Sequence, residues 1–220
     1  MKKKILILGS GPNADIRYAD IVYTANSAIG WYKKEIEHIP RKVAIVSAGS
    51  LDCRIRLQTI SHELRRKKFE LIKNAPCDQL VAIHADAYPH GVESALSDGY
   101  RYPIKKLSCK RCAVIQKKLT GTTNPLLTMP HLLARSTPKG LGSVLFNYYR
   151  NFQLVKNNDY GNVSPWFRPS TGLVAVMYAI SHHSRNDDYF VSGISFGKRN
   201  YYPSGIKITH ENNANWRLSS

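Results

Sequence analysis

Four short apolar runs constrain this chain more than any other feature of its sequence: Ile5 to Leu8, Ile21 to Thr24, Val43 to Val46 and Leu80 to Ile83. Continuous runs of this kind suit strands buried on both faces, as in a parallel sheet covered by helices. The stretches between them are more polar and compatible with helix. In one of them Leu57, Ile60, Leu64 and Leu71 fall on a single helical face that ends before Pro76. The pattern predicts an α/β protein, Rossmann-like, with a mainly parallel central sheet.

From about residue 88 to 165 the periodicity weakens, and prolines stand at 89, 103, 125, 130, 138 and 165. An insertion or lid-like subdomain is expected there, within a single domain covering 1–220. Periodicity returns after Pro169. Leu173, Val176, Met177 and Ile180 form an i, i+3, i+4, i+7 stripe, followed by a strand-like segment from Tyr189 to Phe196. This helix and strand should complete the sheet. At 220 residues, with 43% hydrophobic and 21% charged residues, the chain can bury a full core and is neither disordered nor fibrous.

Charge is the unusual bulk property. Thirty-two Lys and Arg against 15 Asp and Glu leave a net +17. The excess is uneven: between Gly99 and Asn158 there is no acidic residue, while eleven cations run from Arg101 to Lys156. Such a field attracts phosphate, nucleic acid or an anionic membrane surface, or else is simply a solvated face. The longest clean apolar run, Leu173 to Ile180, is far short of the roughly 20 residues that span a bilayer, so any membrane contact is expected to be peripheral. Behind Lys2-Lys3-Lys4 the apolar segment is too short for a signal-peptide core, and a cytoplasmic chain is expected. Its cysteines, at 53, 77, 109 and 112, would then stay reduced. Cys109 and Cys112 have metal-ligand spacing, yet no second such pair follows, and no metal or cofactor is expected.

Two segments could carry chemistry. Gly9-Ser10-Gly11-Pro12-Asn13 is a glycine turn running out of the first strand, where bare backbone could approach a nucleotide and amides could bind phosphate or ribose. It lacks the full GxGxxG dinucleotide fingerprint, having Ala14 at the last position, and a generic tight turn explains it equally well. In Arg168-Pro169-Ser170-Thr171-Gly172, Ser170 or Thr171 can cap the following apolar helix and leave its positive N-terminal end free for an anion. An ordinary capped core helix is the plainer alternative.

The run Pro169-Ser-Thr-Gly-Leu-Val-Ala-Val176 followed by Val191-Ser-Gly-Ile-Ser-Phe-Gly197 closely resembles the small sialylmotif of the sialyltransferases, glycosyltransferase family 29, and the corresponding region of the bacterial sialyltransferases of family 42. Leu8 to Asn13 and then Tyr23-Thr-Ala-Asn26 resemble the start of the large motif. Tyr201-Tyr202 stands where the third motif places aromatic hydroxyls, and His210 where the very small motif places its histidine. The resemblance covers roughly residues 4–50 and 165–216. It implies a GT-A-like sialyltransferase variant of the Rossmann-like fold. The implied reaction is inverting transfer of a sialic acid, or a related keto-sugar acid such as Kdo, from its CMP donor to a glycan acceptor hydroxyl, with galactosyl the expected acceptor.

On that resemblance Gly9, Ser10, Gly11, Asn13 and Asn26 would hold the cytidine nucleotide. Ser170, Thr171 and Gly172, with Tyr201 or Tyr202, would stabilise the leaving phosphate. His210 would be the general base, because neutral imidazole takes a proton near neutral pH; a lone histidine of this kind is also often only structural. No DxD pair occurs in the sequence, so the expected mechanism is metal-free. A basic nucleic-acid-binding domain is the competing expectation, compatible with the charge but without any traceable RNA or DNA module.

Overall fold

The structure, a computed structural model, describes residues 2–11, 14–52, 62–121, 141–163 and 168–194. Strands β1 (Lys4–Leu8), β2 (Ile21–Ala25), β3 (Arg41–Ser47), β4 (Gln79–Ile83), β5 (Ile104–Leu107) and β6 (Asp188–Ser192) form one six-stranded sheet in the order β5-β4-β3-β2-β1-β6. Every pairing is parallel, with Ile5 opposite Ile21, Val43 opposite Gln79 and Leu8 opposite Ser192. All four apolar runs are strands, and their side chains alternate between two cores because successive residues point to opposite faces.

On one face Leu6, Leu8, Val22, Val46 and Ala82 pack with Ile29 of α1 (Ala28–Trp31), Phe69 and Ile72 of α3 (His62–Lys73), and Val92 and Ala95 of α4 (Gly91–Ser97). A short helix α2 (Ala48–Leu51) follows β3 directly. On the other face Ile5, Ile7, Tyr23, Ile45 and Ile83 pack with Cys112 of α5 (Cys109–Thr120) and with Val174, Met177 and Tyr178 of α7 (Thr171–His182). From β1 to β5 the chain steps one way across the sheet, with its crossovers on the first face; it then returns over the second face to place β6 beside β1. Right-handed crossovers require that change of face. The reversal of strand order falls between β1 and β6.

Two sequence expectations, on the 88–165 span and on the last helix, need correction. The span from 88 to 165 does not begin as an insertion, because Ile104 to Leu107 pair with Leu80 to Ile83 and the α4-β5-α5 segment belongs to the main body. β5 is an edge strand with Lys105 and Lys106 exposed, and an edge need not be apolar, so hydrophobic periodicity hid it. In α3 Phe69 and Ile72 are buried and Leu71 is half-buried, with its carbonyl against α1; of the expected stripe, Leu57, Ile60 and the Leu64 side chain lie outside what the structure describes. In α7 the fully buried residues are Val174, Ala175, Met177, Tyr178 and Ala179, so the helix is seated on a wider face than the expected stripe.

The later part of the expected insertion contains α6 (Leu141–Lys156) and a single 3₁₀ turn (Tyr160–Asn162), joined through a small satellite core of Val155 and Val163 with Tyr148, Leu154 and Tyr160. Among the described residues no helix is long and apolar enough to cross a membrane.

Candidate active site at the carboxyl edge of the sheet

In an open parallel sheet the strand ends separate where the strand order reverses, and ligands bind there. Here that place lies beyond Leu8 and Ser192, where two glycine turns meet. The Gly9 amide donates to the Ser192 carbonyl at 2.8 Å and the Gly11 amide to the Gly193 carbonyl at 3.0 Å. A Cβ on Gly9 would lie 2.1 Å from the Gly193 oxygen, and one on Gly11 2.8 Å from it. Gly193 has φ +65°, a left-handed conformation that glycine adopts without strain. The first requirement for these glycines is therefore the contact between the two turns, and the amides of Gly9 and Gly11 are already engaged. Tyr32 secures the far side of the loop, its hydroxyl donating to the Gly11 carbonyl.

The N-terminus of α7 stands directly against this junction, since a Cβ on Gly172 would lie 3.0 Å from the Ile194 side chain. Ser170 is the cap. Its hydroxyl accepts from the Leu173 amide at 3.3 Å, and its carbonyl accepts from the Val174 amide at 2.9 Å. The first turn of a helix otherwise presents unpaired amides, and the α7 axis carries its positive end here. Asn26 lies at the end of β2, adjacent to β1, with φ 55° and its amide donating to the Ile45 carbonyl at 2.8 Å. Asparagine is among the residues that tolerate this conformation. The structure thus brings Gly9, Ser10, Gly11, Asn26, Ser170, Thr171 and Gly172 to one edge. Asn13, Tyr201, Tyr202 and His210 lie outside the described residues.

A second group of residues lies on the same edge, at the ends of β4 and β5, and none of it was expected from the sequence. His84 follows β4 with φ 57° and is buried. Burial, reinforced by the Arg168 charge and partly opposed by Asp86, pushes its pKa down to about 4, so the imidazole is neutral. Burial would raise the Asp86 carboxyl, but hydrogen bonds outweigh it: Oδ1 accepts from the Cys109 amide at 2.8 Å and the Ala87 amide at 3.1 Å, and the carboxyl is held below its ordinary range.

Arg168, two residues before the α7 cap, reaches into this group. Its guanidinium stands 5.8 Å from the centre of the Tyr88 ring, and Nη2 donates to the Gly161 carbonyl at 2.9 Å. Its Nε and Nη1 are buried and have no hydrogen-bond partner among the described residues. Buried N–H groups of a cation rarely stay unpaired, and residues 164–167, directly before Arg168, lie outside the described residues. The signal was present in the sequence, because Arg168 directly precedes the capping segment, but its convergence on β4 requires the fold.

Cys109 and Cys112 sit one turn apart on α5, buried, with their thiols pushed up to about 12 chiefly by that burial. They are protonated thiols of the core and poor nucleophiles. Among the described residues no group of three His, Cys, Asp or Glu side chains is arranged to hold a metal ion. No known protein family, no curated protein and no solved structure matches the chain.

Proposed function

We propose that the carboxyl edge of this sheet binds a CMP-activated sugar acid and that the protein is an inverting, metal-independent glycosyltransferase. It would move a sialic acid, or a related keto-sugar acid such as Kdo, to a glycan hydroxyl, with galactosyl as the proposed acceptor, in surface polysaccharide or lipooligosaccharide synthesis. The observation that carries this reading is the convergence of the β1/β6 glycine junction, the capped N-terminus of α7 and the positively charged Arg168 on one edge. A CMP leaving group develops negative charge on its phosphate as the glycosidic bond breaks. Fixed donors aimed at that charge lower the barrier, and they need no reorganisation during the reaction.

In this scheme the Thr171 and Gly172 amides and Arg168 receive the phosphate, and Ser10 and Asn26 flank the cytidine. Tyr201 or Tyr202 adds a hydroxyl to the phosphate, and Asn13 a contact to the nucleotide. His210 takes the acceptor proton on the side opposite the departing CMP, which gives attack in line and inversion. The reaction would run in the cytoplasm, with the protein peripheral at the inner face of the membrane.

The test is to incubate the protein separately with CMP-sialic acid and CMP-Kdo and follow CMP release with and without galactosyl acceptors. Acceptor-dependent release from one donor is expected. Failure to turn over or bind either donor, combined with tight, salt-dependent affinity for long oligonucleotides, would replace this reading with nucleic-acid binding.

A further inference from the structure

Helix α6 has two apolar faces, and the fold uses one. Tyr148, Leu154 and Val155 pack into the satellite core with Val163. The outer side carries Leu145, Phe146, Tyr149 and Phe152, which are 38%, 66%, 62% and 38% exposed. At 100° per residue these four side chains fall within an arc of roughly 120°, and Lys156 falls in the same arc one turn further on. Three aromatic rings on one exposed helix face exceed what scattered surface apolar residues account for.

The surrounding charge indicates what covers this face. No Asp or Glu occurs from Gly99 to Asn158, which includes all of α6 and α5. Arg150 and Lys156 on α6 are exposed, as are Lys110, Arg111, Lys117 and Lys118 on α5. An apolar strip on a helix whose only charged side chains are Arg150 and Lys156 matches an anionic lipid surface, whose headgroups accept the lysine and arginine while rings enter the headgroup and acyl boundary. Tyr149, with an apolar ring and a polar tip, is a residue type suited to that depth.

We infer that α6 is a membrane-docking helix. It lies in the interface of an anionic bilayer with Leu145, Phe146, Tyr149 and Phe152 inserted and Arg150 and Lys156 on the headgroups. The inference does not depend on what the sheet edge binds, because vesicle binding is measured without any donor.

The test uses the full chain with vesicles of phosphatidylcholine alone and with one-third phosphatidylglycerol, followed by flotation. Binding to the anionic vesicles, little to the neutral ones, and weakening with salt are expected. Each buried aromatic side chain contributes about tenfold to partitioning, so the F146S/Y149S double variant should bind roughly a hundredfold more weakly. Thermal melting with unchanged midpoint shows that the variant is folded, since both side chains are on the unused face. F146W gives a second readout: relative to wild type, its added fluorescence should shift to the blue and be quenched by brominated lipid. Three results would overturn the proposal. One is vesicle binding that F146S/Y149S leaves unchanged, which would mean a cationic patch alone. Another is a wild-type oligomer that the double variant converts to monomer while vesicle binding persists, which would make the face a contact between copies. The third is aromatic-dependent binding to oligonucleotides with none to vesicles.

Discussion

Replacing Gly9 with alanine should destabilise the fold by about 3–5 kcal/mol, and the magnitude follows from the β1/β6 junction. The added Cβ would lie 2.1 Å from the Gly193 oxygen, 2.5 Å from the Gly193 carbonyl carbon and 2.6 Å from Ile194 Cγ1. Two of these atoms are backbone, so relief requires moving one turn away from the other. Overpacking of this kind costs about 1–3 kcal/mol. Separating the turns also lengthens the bonds from Gly9 to Ser192 and from Gly11 to Gly193, each worth about 1 kcal/mol. Two other glycines supply controls. Gly121 has φ +78° with nothing within 4 Å of its added Cβ, so Gly121→Ala pays only backbone strain, about 1–2 kcal/mol. Gly142, exposed in α6 with nothing within 4 Å, should gain about 0.5–1 kcal/mol on becoming alanine. Urea and thermal melts would read the series. For a chain of this size Gly9→Ala should melt about 10 °C below wild type, Gly121→Ala only a few degrees below, and Gly142→Ala slightly above. If Gly9→Ala melts with Gly121→Ala, the two turns are not in backbone contact and the site is built differently.

Arg168→Lys keeps a positive charge but loses the fork of donors, and kcat/KM for the CMP donor should fall about tenfold to a hundredfold, measured by CMP release. Ser170→Ala should instead cost about 1 kcal/mol of stability, read by melting, because its hydroxyl caps α7. His210→Ala should lower turnover by about 10²–10⁴-fold while leaving CMP affinity nearly intact by titration, whereas Tyr202→Phe should cost less and chelator should change neither variant. His84 titrates near about 4 in the folded protein and near about 6.5 when unfolded. Its contribution to stability is therefore complete above about pH 6.5 and declines by about 3 kcal/mol in all as the pH falls to about 4. Denaturant midpoints against pH should show that decline, and His84→Asn, which accepts the same φ, should flatten it.

Much of the fold was legible because strands buried on both faces leave unbroken apolar runs, as at Ile5 to Leu8 and Val43 to Val46. β5 was not, since Lys105 and Lys106 occupy an edge with only one neighbouring strand. Lys105 is accommodated there through its stem and tip, its Nζ donating to the Tyr178 hydroxyl at 3.1 Å. The site divides in the same way. The cap at Ser170 was readable because capping is local, whereas Asn26 was expected only from the resemblance. The reason for Gly9 and Gly11 was not readable, because it lies 184 and 182 residues away, at Gly193. Nor was the grouping of His84 and Asp86 with Arg168, which exists only once β4 and the start of α7 share an edge.

The position of bound CMP tests the central claim most directly. In a crystal structure of the complex, the phosphate should lie within hydrogen-bond reach of the Thr171 and Gly172 amides and be approached by the Arg168 guanidinium, with the cytidine beside Ser10 and Asn26. CMP found beyond side-chain reach of both the Gly9 turn and the α7 N-terminus would contradict the account, as would a saturated complex in which the Arg168 guanidinium does not touch the phosphate.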